Sequence, residues 1–290
     1  MLVSGTDGAS QPKAERPYHL ANGATVFTQN STRSHYHLAR GFPRMRLESL
    51  KTMRVLIGGG TGFIGRNLSR MLRSQGHEVT LISREPGKNR LTWVRSRGLK
   101  QAKVGYYRPS HTTKYTEESP GGDFDFFSRL VSSWEEAAKI PSEATRQVVV
   151  RSGAVLGKDG GAISQMIWPF RFGLGGPIGS GHQHFPWIHV ADLSGIVSHG
   201  LQKEGLRGIL NGVAPSAVDT TNEDFARAMG SVLKRPAFLP LPGFVVKAVF
   251  GSERSTMLLD GQRVVPKRTL ESGYMFAFPD LSSALQDILD

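Results

Sequence analysis

The chain has 290 residues, no cysteine, and 36 lysines and arginines against 24 acidic residues, which gives a net charge of +12. The absence of cysteine excludes disulfides, thiolate nucleophiles and cysteine-bound zinc or iron–sulfur centres. No apolar run approaches the roughly 18 residues of a membrane-spanning helix. The composition therefore predicts a globular chain with no membrane partner.

The net positive charge is concentrated in the first third of the chain. Residues 1–103 carry 18 basic and 5 acidic residues, whereas residues 104–290 carry 18 and 19. A nucleic-acid-binding domain shows a basic face built into its fold, and most of the excess charge here lies in the N-terminal part. We therefore expect a small-molecule substrate and no nucleic acid partner; the sequence does not predict an oligomeric state.

Residues 1–52 show little hydrophobic periodicity and predict a disordered N-terminal extension. An arginine- and serine-rich, acid-poor leader is also typical of a mitochondrial transit peptide, although its glycines and prolines would break a long amphipathic helix. An upstream extension without function is the alternative, because Met53 is a second candidate start. We expect an intracellular protein, cytoplasmic if the extension is not a targeting signal and mitochondrial if it is a transit peptide.

From Met53 the pattern changes to strand, glycine turn, helix and strand. Met53–Ile57 is a short apolar strand, and Gly58–Gly65 is the turn. The helix that follows carries Leu68, Met71 and Leu72 on one face, and Gly76 ends it. A second buried strand, 78–82, completes a βαβ unit.

The glycine turn predicts dinucleotide binding. Three glycines at i, i+3 and i+6 after a strand and before a helix allow a tight turn, a close approach of pyrophosphate, and free amides at the helix N-terminus. A turn used only for packing is the alternative. The predicted cofactor-binding residues here are Gly59, Thr61, Gly62, Phe63, Ile64 and Gly65.

The end of the second strand distinguishes NADP from NAD. An acidic residue there would accept a hydrogen bond from the ribose 2′-hydroxyl of NAD, whereas this chain has Ser83 and Arg84, which suit a 2′-phosphate. NADP is therefore the predicted cofactor. Arg84 as an ordinary surface residue, with Glu85 turned inward, is the alternative.

Further elements are predicted along the second half of the chain. The patterns indicate a helix over 126–138, buried strand segments at 147–150 and 154–156, and a C-terminal helix with Leu281, Leu285 and Ile288. Asp192 is placed to N-cap a helix. Thr220 and Glu223 have the spacing of a capping box.

Several of these motifs occur in the order typical of one known family. The runs are MRVLIGGGTGFIG, SPGGDFDFF, VVVRSGAVLG, PFRFGLGGPIGSG, FPWIHVADL and LNGVAP. Together they resemble the extended short-chain dehydrogenase/reductase superfamily, and within it the atypical, sugar-nucleotide-epimerase-like branch called the epimerase family. The resemblance covers about 53–93 and 105–290.

The resemblance implies an α/β fold with a Rossmann-like, doubly wound parallel sheet and a small C-terminal α/β substrate domain. It implies a disordered extension at 1–52, an NADP-binding domain at 53–170, and a substrate domain at 171–290 from which segments near 185–201 return to the first domain. It also implies an NADP(H)-dependent oxidoreductase or epimerase activity of unknown substrate. Arg151 matches a family position near the cofactor, with a structural ion pair as the alternative.

The chain departs from the superfamily pattern in its catalytic pair. The superfamily uses Tyr-x-x-x-Lys, in which lysine lowers the tyrosine pKa for proton exchange. Here Phe127 and Val131 hold the equivalent register, and no Tyr-x-x-x-Lys occurs in the chain. The atypical branch also lacks this pair, so the general acid and base are unassigned.

The second departure is an apparent internal deletion. Only 11 residues separate Trp93 from Gly105, whereas one βαβ unit needs roughly 30. The sheet is therefore expected to lack its middle strands, and a parallel sheet without interior strands exposes edges and apolar faces. An inactive truncated isoform, or a non-catalytic nucleotide-binding protein, is the alternative to the enzyme.

The remaining candidate residues each have a structural alternative. Tyr106 and Tyr107 could supply a phenol or simply pack, and His189 could act in catalysis or be satisfied by local hydrogen bonds. His182 and His184 lack an evident third metal ligand, so no metal is predicted. The glycine-rich stretch 173–181 suits a substrate lid or a plain connection.

Overall fold

The structure, a computed structural model, describes residues 2–6, 25–30, 52–83, 87, 89–92, 104–142 and 145–290. Its strands are β1 (Leu2–Thr6), β2 (Thr25–Asn30), β3 (Met53–Gly58), β4 (Glu78–Ser83), β5 (Arg90–Thr92), β6 (Lys114–Tyr115), β7 (Thr145–Ser152), β8 (Ala154–Gly157), β9 (Trp187–His189), β10 (Gly208–Gly212) and β11 (Arg263–Val264). Its helices are α1 (Phe63–Ser74), α2 (Phe126–Ala137), α3 (Gly161–Arg171), α4 (Val190–Gln202), α5 (Asn222–Leu233), α6 (Gly243–Phe250), α7 (Ser252–Leu259), α8 (Lys267–Glu271) and α9 (Leu281–Leu289).

The predicted βαβ unit is present as β3, α1 and β4. Residues of β3 alternate between buried and more exposed positions, and α1 buries Ile64, Leu68 and Leu72. Gly76 follows α1 with φ of 85°, a left-handed conformation that glycine adopts without strain. The prediction that this glycine ends the helix is confirmed, because its amide bonds to the Arg73 carbonyl at 3.0 Å.

His77 joins the end of this helix to the start of β3. Its ring is buried, and its Nδ1 accepts a hydrogen bond from the Met53 amide at 3.3 Å. Burial lowers the pKa of His77, so the folded chain binds this proton less readily than the unfolded chain. Stability from His77 is therefore present at neutral pH and is lost as the pH falls below about 6.5, the unfolded value.

We expect His77→Gln to flatten the fall in the free energy of unfolding between pH 6.5 and pH 5. Burial also lowers the pKa values of His184 and His189. Both histidines remain in the variant, so a comparison with the wild-type chain isolates the contribution of His77. Denaturant titrations across this pH range provide the measurement. Parallel curves for the two proteins would contradict a role for His77.

The central sheet has the strand order β10-β7-β1-β2-β3-β4-β5. Strands β3, β4 and β5 run parallel, as expected for a dinucleotide-binding sheet. β2 pairs antiparallel with β3, β1 pairs parallel with β2, and β1 pairs antiparallel with β7. Two segments of the predicted disordered extension thus form strands, and they occupy the inner positions where middle strands were expected to be missing.

The chain divides into two compact units, and the division falls within β7. The first unit contains 1–101, 137–149 and 197–208; the second contains 102–136, 150–196 and 209–290. Segments 102–136 and 150–170, which the sequence assigned to the first domain, belong to the second unit. The segment that returns to the first unit is 197–208, which overlaps the region near 185–201 predicted from the sequence.

The second unit packs α3, α5 and α9 around two short parallel strand pairs. β8 pairs with β9, and β6 pairs with β11. The core between them includes Tyr107, Trp187, Phe225, Met229 and Leu285. Pairing with β11 explains why 114–115 belongs to this unit, although it precedes β7 in the chain.

Two helix starts differ from their predictions. The helix expected to begin after Asp192 begins at Val190, and the Asp192 carboxylate instead accepts hydrogen bonds from a distant segment described below. The capping box of α5 lies one residue later than predicted, with Thr221 as N-cap and Asp224 closing it. Asp192 has these tertiary partners instead, and the Thr220 hydroxyl donates to the Ser216 carbonyl at 2.8 Å and accepts from Trp187 Nε1 at 3.4 Å.

Candidate functional site: a dinucleotide-binding glycine turn

The turn after β3 is built almost entirely from backbone. Gly59 has φ of 71°, and the Gly62 amide donates to the Gly59 carbonyl at 3.0 Å. A Cβ added to Gly65 would lie 2.3 Å from the Gly59 carbonyl oxygen, closer than two such atoms can approach. The absence of side chains here brings α1 against the turn and leaves space beside it.

The N-terminus of α1 is suited to an anion. Gly62 is its N-cap, no side chain caps it in the part of the chain that the structure describes, and its first turn has no acidic residue. Arg66 is exposed, and its Nη1 donates to the Thr61 carbonyl at 3.1 Å, which holds a positive charge beside the turn. Free amides, helix dipole and guanidinium together favour a phosphate group.

Arg66 was not among the residues singled out from the sequence. The signal available there was a basic residue in the second half of the first helical turn, with no acidic residue near it. Of the predicted residues, Gly59, Thr61 and Gly62 are exposed, Phe63 is half-buried, and Ile64 and Gly65 are buried. The structure therefore brings all six predicted turn residues together.

The residues predicted to choose between NADP and NAD are only partly described. Ser83 is buried at the end of β4. Arg84 and Glu85 lie outside the described residues, so their roles stay predictions.

Arg151 lies in a buried polar network. Its Nε and Nη2 donate to the two carboxylate oxygens of Glu135 at 2.7 and 2.8 Å, and its Nη1 donates to the Tyr107 hydroxyl at 3.0 Å. The guanidinium also stacks 3.3 Å from the centre of the Tyr106 ring. With its side chain 1% exposed, Arg151 fits the structural ion pair that the sequence left open as an alternative.

The electrostatics of this network keep Arg151 charged. Burial alone would lower the pKa of Arg151, but the hydrogen bonds and charge of Glu135, with help from Tyr107, outweigh burial and raise it above its ordinary value. Burial raises the pKa of Tyr107, against the opposing charge of Arg151. Both side chains therefore hold their protons at neutral pH.

The two tyrosines are structural in this arrangement. Tyr107 is fully buried, stacks on Tyr115, and donates from its hydroxyl to Asn211 Oδ1 at 2.8 Å. Glu117, which the sequence analysis did not single out, continues the network. Its Oε1 accepts a hydrogen bond from the backbone amide of Asn211 at 2.9 Å. A lone asparagine inside the apolar run Ile-Leu-Asn-Gly-Val was the sequence signal for a buried polar partner.

His189 also fits its structural alternative. Its Nδ1 accepts from the Ala191 amide at 3.2 Å, and its Nε2 lies 3.3 Å from Asp287 Oδ2. Burial lowers the pKa of His189, so the neutral ring is the main form near pH 7. The Nδ1 hydrogen bond is local, whereas Asp287, which the Nε2 faces, is 98 residues away in the chain.

Asp192 lies in the first turn of α4 and not at the predicted N-cap position. Its side chain anchors the segment before α9. Its carboxylate accepts from the Tyr274 hydroxyl at 2.9 Å and from the amides of Ala277 and Phe278 at 2.8 and 2.9 Å. Burial, together with the charge of Asp192, raises the pKa of Tyr274. This phenol therefore stays protonated and serves as a hydrogen-bond donor.

The glycine-rich stretch 173–181 is tied to α5. The Ile178 amide donates to Asn222 Oδ1 at 2.6 Å, and the Gln183 side chain donates to the Ile178 carbonyl at 2.8 Å. His182 is exposed, and His184 Nε2 lies 3.2 Å from the His111 carbonyl oxygen. Within the described ranges, no cluster of histidine, aspartate and glutamate is arranged to hold a metal ion.

No helix among the residues that the structure describes is long and apolar enough to cross a lipid bilayer.

Comparison with protein families matches two parts of the chain. Residues 55–124 match the NAD dependent epimerase/dehydratase family, and residues 241–288 match a domain of unknown function, DUF1731. The first match contains the glycine turn and α1. The second contains the C-terminal segment that Asp192 anchors.

Individual relatives match over most of their length. The chain is 50% identical to epimerase family protein SDR39U1 of Bos taurus, over 82% of this chain and 100% of that protein. A crystal structure of the human protein SDR39U1 (isoform 2) with NADPH is 47% identical and has a TM-score of 0.76, over 80% of this chain and 98% of that chain. A nucleoside-diphosphate sugar epimerase of Corynebacterium glutamicum shares the fold at 22% identity and a TM-score of 0.63, over 80% of this chain and 57% of that one.

The comparison with the cattle protein also shows how many of its residues have no counterpart in this chain. The alignment has 294 positions and includes 82% of the 290 residues of this chain, or about 238. Because it includes the whole cattle protein, roughly 56 residues of that protein have no counterpart here. These relatives, the matched family and the shared α/β, Rossmann-like fold establish that the chain belongs to the epimerase family, an atypical branch of the short-chain dehydrogenases/reductases.

Proposed function

We propose that this chain binds NADP(H) at the glycine turn as an atypical oxidoreductase or epimerase-like protein. The observation that carries the proposal is the backbone cradle of Gly59, Gly62 and Gly65, which leads into an uncapped helix N-terminus with Arg66 beside it. This arrangement fits a pyrophosphate, because its donors are amides and its charge is positive. The bound cofactor would supply hydride chemistry, and the chain supplies its position.

The choice of NADP over NAD rests on the second strand and on a relative. Ser83 and Arg84 offer a hydroxyl and a guanidinium where an NAD-binding chain would carry an acid. The human relative with 47% identity has a crystal structure with NADPH. Both observations support a site for the 2′-phosphate at the end of β4.

The arrangement of the described tyrosines favours a second candidate, a nucleotide-binding protein without catalysis. The chain has no Tyr-x-x-x-Lys, and Phe127 and Val131 stand in that register on α2. Tyr107 and Tyr274 are buried with raised pKa values, so neither provides a phenol ready to exchange a proton. The general acid and base of any reaction therefore stay unassigned.

Titration with NADPH and NADP, followed by nicotinamide fluorescence and calorimetry, tests cofactor binding. A saturable signal supports the proposal, and no signal with folded protein overturns it. Turnover is then assayed over a panel of carbonyl compounds and sugar nucleotides. Binding without turnover over the whole panel would support the non-catalytic candidate.

Arg84→Ala tests the 2′-phosphate site directly. We expect NADPH affinity to fall by roughly 10- to 100-fold, the equivalent of about 1.5–3 kcal/mol for a charge-assisted hydrogen bond, while NADH affinity changes little. Arg70→Ala, which removes an exposed arginine from α1, is the matched control and should leave both affinities unchanged. An equal loss for NADPH and NADH in Arg84→Ala would refute the assignment.

The proposed partner is a small-molecule substrate, with neither nucleic acid nor membrane involved. The basic excess lies in 1–103, whereas residues 104–290 carry 18 basic and 19 acidic residues, which supports this choice. The proposed location is cytoplasmic, with an organelle as the alternative; an Arabidopsis thaliana relative, 39% identical over 211 residues, is named as chloroplastic. Imaging of a C-terminal fluorescent fusion distinguishes the two locations.

A further inference from the structure

The N-terminal strands occupy the inner positions of the dinucleotide-binding sheet in a defined register. β2 lies antiparallel to β3, with Val26 opposite Ile57 and Asn30 opposite Met53. β1 lies antiparallel to β7, with Leu2 opposite Val149 and Thr6 opposite Thr145. All of these residues belong to the first compact unit.

The connections between these strands are long enough for this arrangement. β1 and β2 are parallel, and parallel neighbours need a crossover of a dozen or more residues; residues 7–24 provide 18. β2 and β3 are antiparallel, so the end of β2 and the start of β3 lie opposite each other, and residues 31–52 only have to join Asn30 to Met53. With strands about 4.8 Å apart, two inserted strands span the gap between β3 and β7.

The shortened chain has a physical need for these two strands. Without them, β3 and β7 would each present a free edge of backbone amides and carbonyls. Val55 and Ile57 of β3 and Val148 of β7 are almost completely buried, so this is the interior of the sheet and not its rim. The roughly 56 residues that the cattle relative has in addition are long enough to have supplied two strand–helix units.

We propose that β1 and β2 take the place of the missing inner strands, so that the N-terminal part completes the sheet of its own chain. β1 and β2 are then an integral part of the first unit. Because β3 runs directly into the glycine turn, its position in a closed sheet also sets the position of that turn. This inference does not depend on which cofactor the turn binds.

Cysteine crosslinking tests the register in the full chain, which has no native cysteine. Residues directly opposite each other on antiparallel strands have Cα atoms about 4.5–5.5 Å apart, within the range that a disulfide spans. We expect Gln29→Cys/Arg54→Cys and Thr6→Cys/Thr145→Cys to form disulfides under mild oxidation. The oxidised proteins should run as monomers on a non-reducing gel and melt at higher temperature than their reduced forms.

The matched controls are shifted by one residue. Thr28→Cys/Arg54→Cys and Gly5→Cys/Thr145→Cys place the two thiols on opposite faces of the sheet, because successive side chains alternate, and should crosslink far less. Equal crosslinking of matched and shifted pairs, or none in either, would overturn the proposal. A disulfide-linked dimer would also overturn it, since the extension would then enter the sheet of a second copy.

Discussion

Gly65→Ala is expected to weaken NADPH binding by about tenfold or more. The new Cβ would lie 2.3 Å from the Gly59 carbonyl oxygen and 2.6 Å from the Gly60 Cα, both of them backbone atoms that cannot rotate away. The turn must therefore open or α1 must move, at a cost of about 1–3 kcal/mol, and either change displaces the amides from the pyrophosphate. Fluorescence titration with NADPH measures the effect.

Gly205→Ala is the control for Gly65→Ala. Gly205 is exposed, and an added Cβ would meet no atom within 4 Å, so the same chemical change should leave NADPH affinity unaltered. Thermal melts of both variants separate a local defect at the turn from general unfolding. A folded Gly65→Ala protein with wild-type affinity would show that the pyrophosphate does not lie at this turn.

Glu135→Gln is expected to destabilise the chain by about 3–5 kcal/mol, the cost of leaving one member of a buried ion pair without its partner. Arg151 is 1% exposed and Glu135 is 15% exposed, and the two share a pair of parallel hydrogen bonds. Removal of the carboxylate charge leaves a buried guanidinium with a neutral amide. Chemical denaturation at pH 7 measures the change in the free energy of unfolding.

A surface pair provides the comparison for Glu135→Gln. Arg129 and Asp123 form a 2.9 Å ion pair with side chains 54% and 74% exposed, and Asp123→Asn should cost at most about 0.5 kcal/mol. The double variant Glu135→Leu/Arg151→Met should recover part of the loss, because no charge remains buried. If Glu135→Gln were as mild as Asp123→Asn, Arg151 would have to be free for another role, such as the cofactor contact predicted from its position.

Local patterns in the sequence were reliable where neighbours along the chain decide the structure. The βαβ unit is such a case, since β3, the glycine turn, α1 and Gly76 follow from apolar spacing and from the conformations open to glycine. Helix starts were less reliable. Asp192 and Thr220 both have cap-forming side chains, but the structure uses Asp192 to hold the segment before α9 and moves the α5 cap to Thr221.

Buried polar side chains were also hard to interpret from the sequence. The sequence marks Arg151 and His189 as unusual, but a single residue cannot reveal whether its partner is a cofactor or a distant side chain. Arg151 meets Glu135 and Tyr107, and His189 lies beside Asp287, across separations of 16 to 98 residues. Glu117 and Asn211 were missed for the same reason, because they are hydrogen-bond partners that lie far apart in the sequence.

The sequence by itself determined the family and the glycine turn with its predicted cofactor, because each of these depends on motifs whose residues lie close together in the chain. Only the tertiary structure showed that β1 and β2 lie between β7 and β3 in the sheet. β1 pairs with β7 and β2 pairs with β3, although the sequence of β1 and β2 shows little hydrophobic periodicity. Strand pairing depends on the unsatisfied backbone of the partner strand, and that partner lies far away in the sequence.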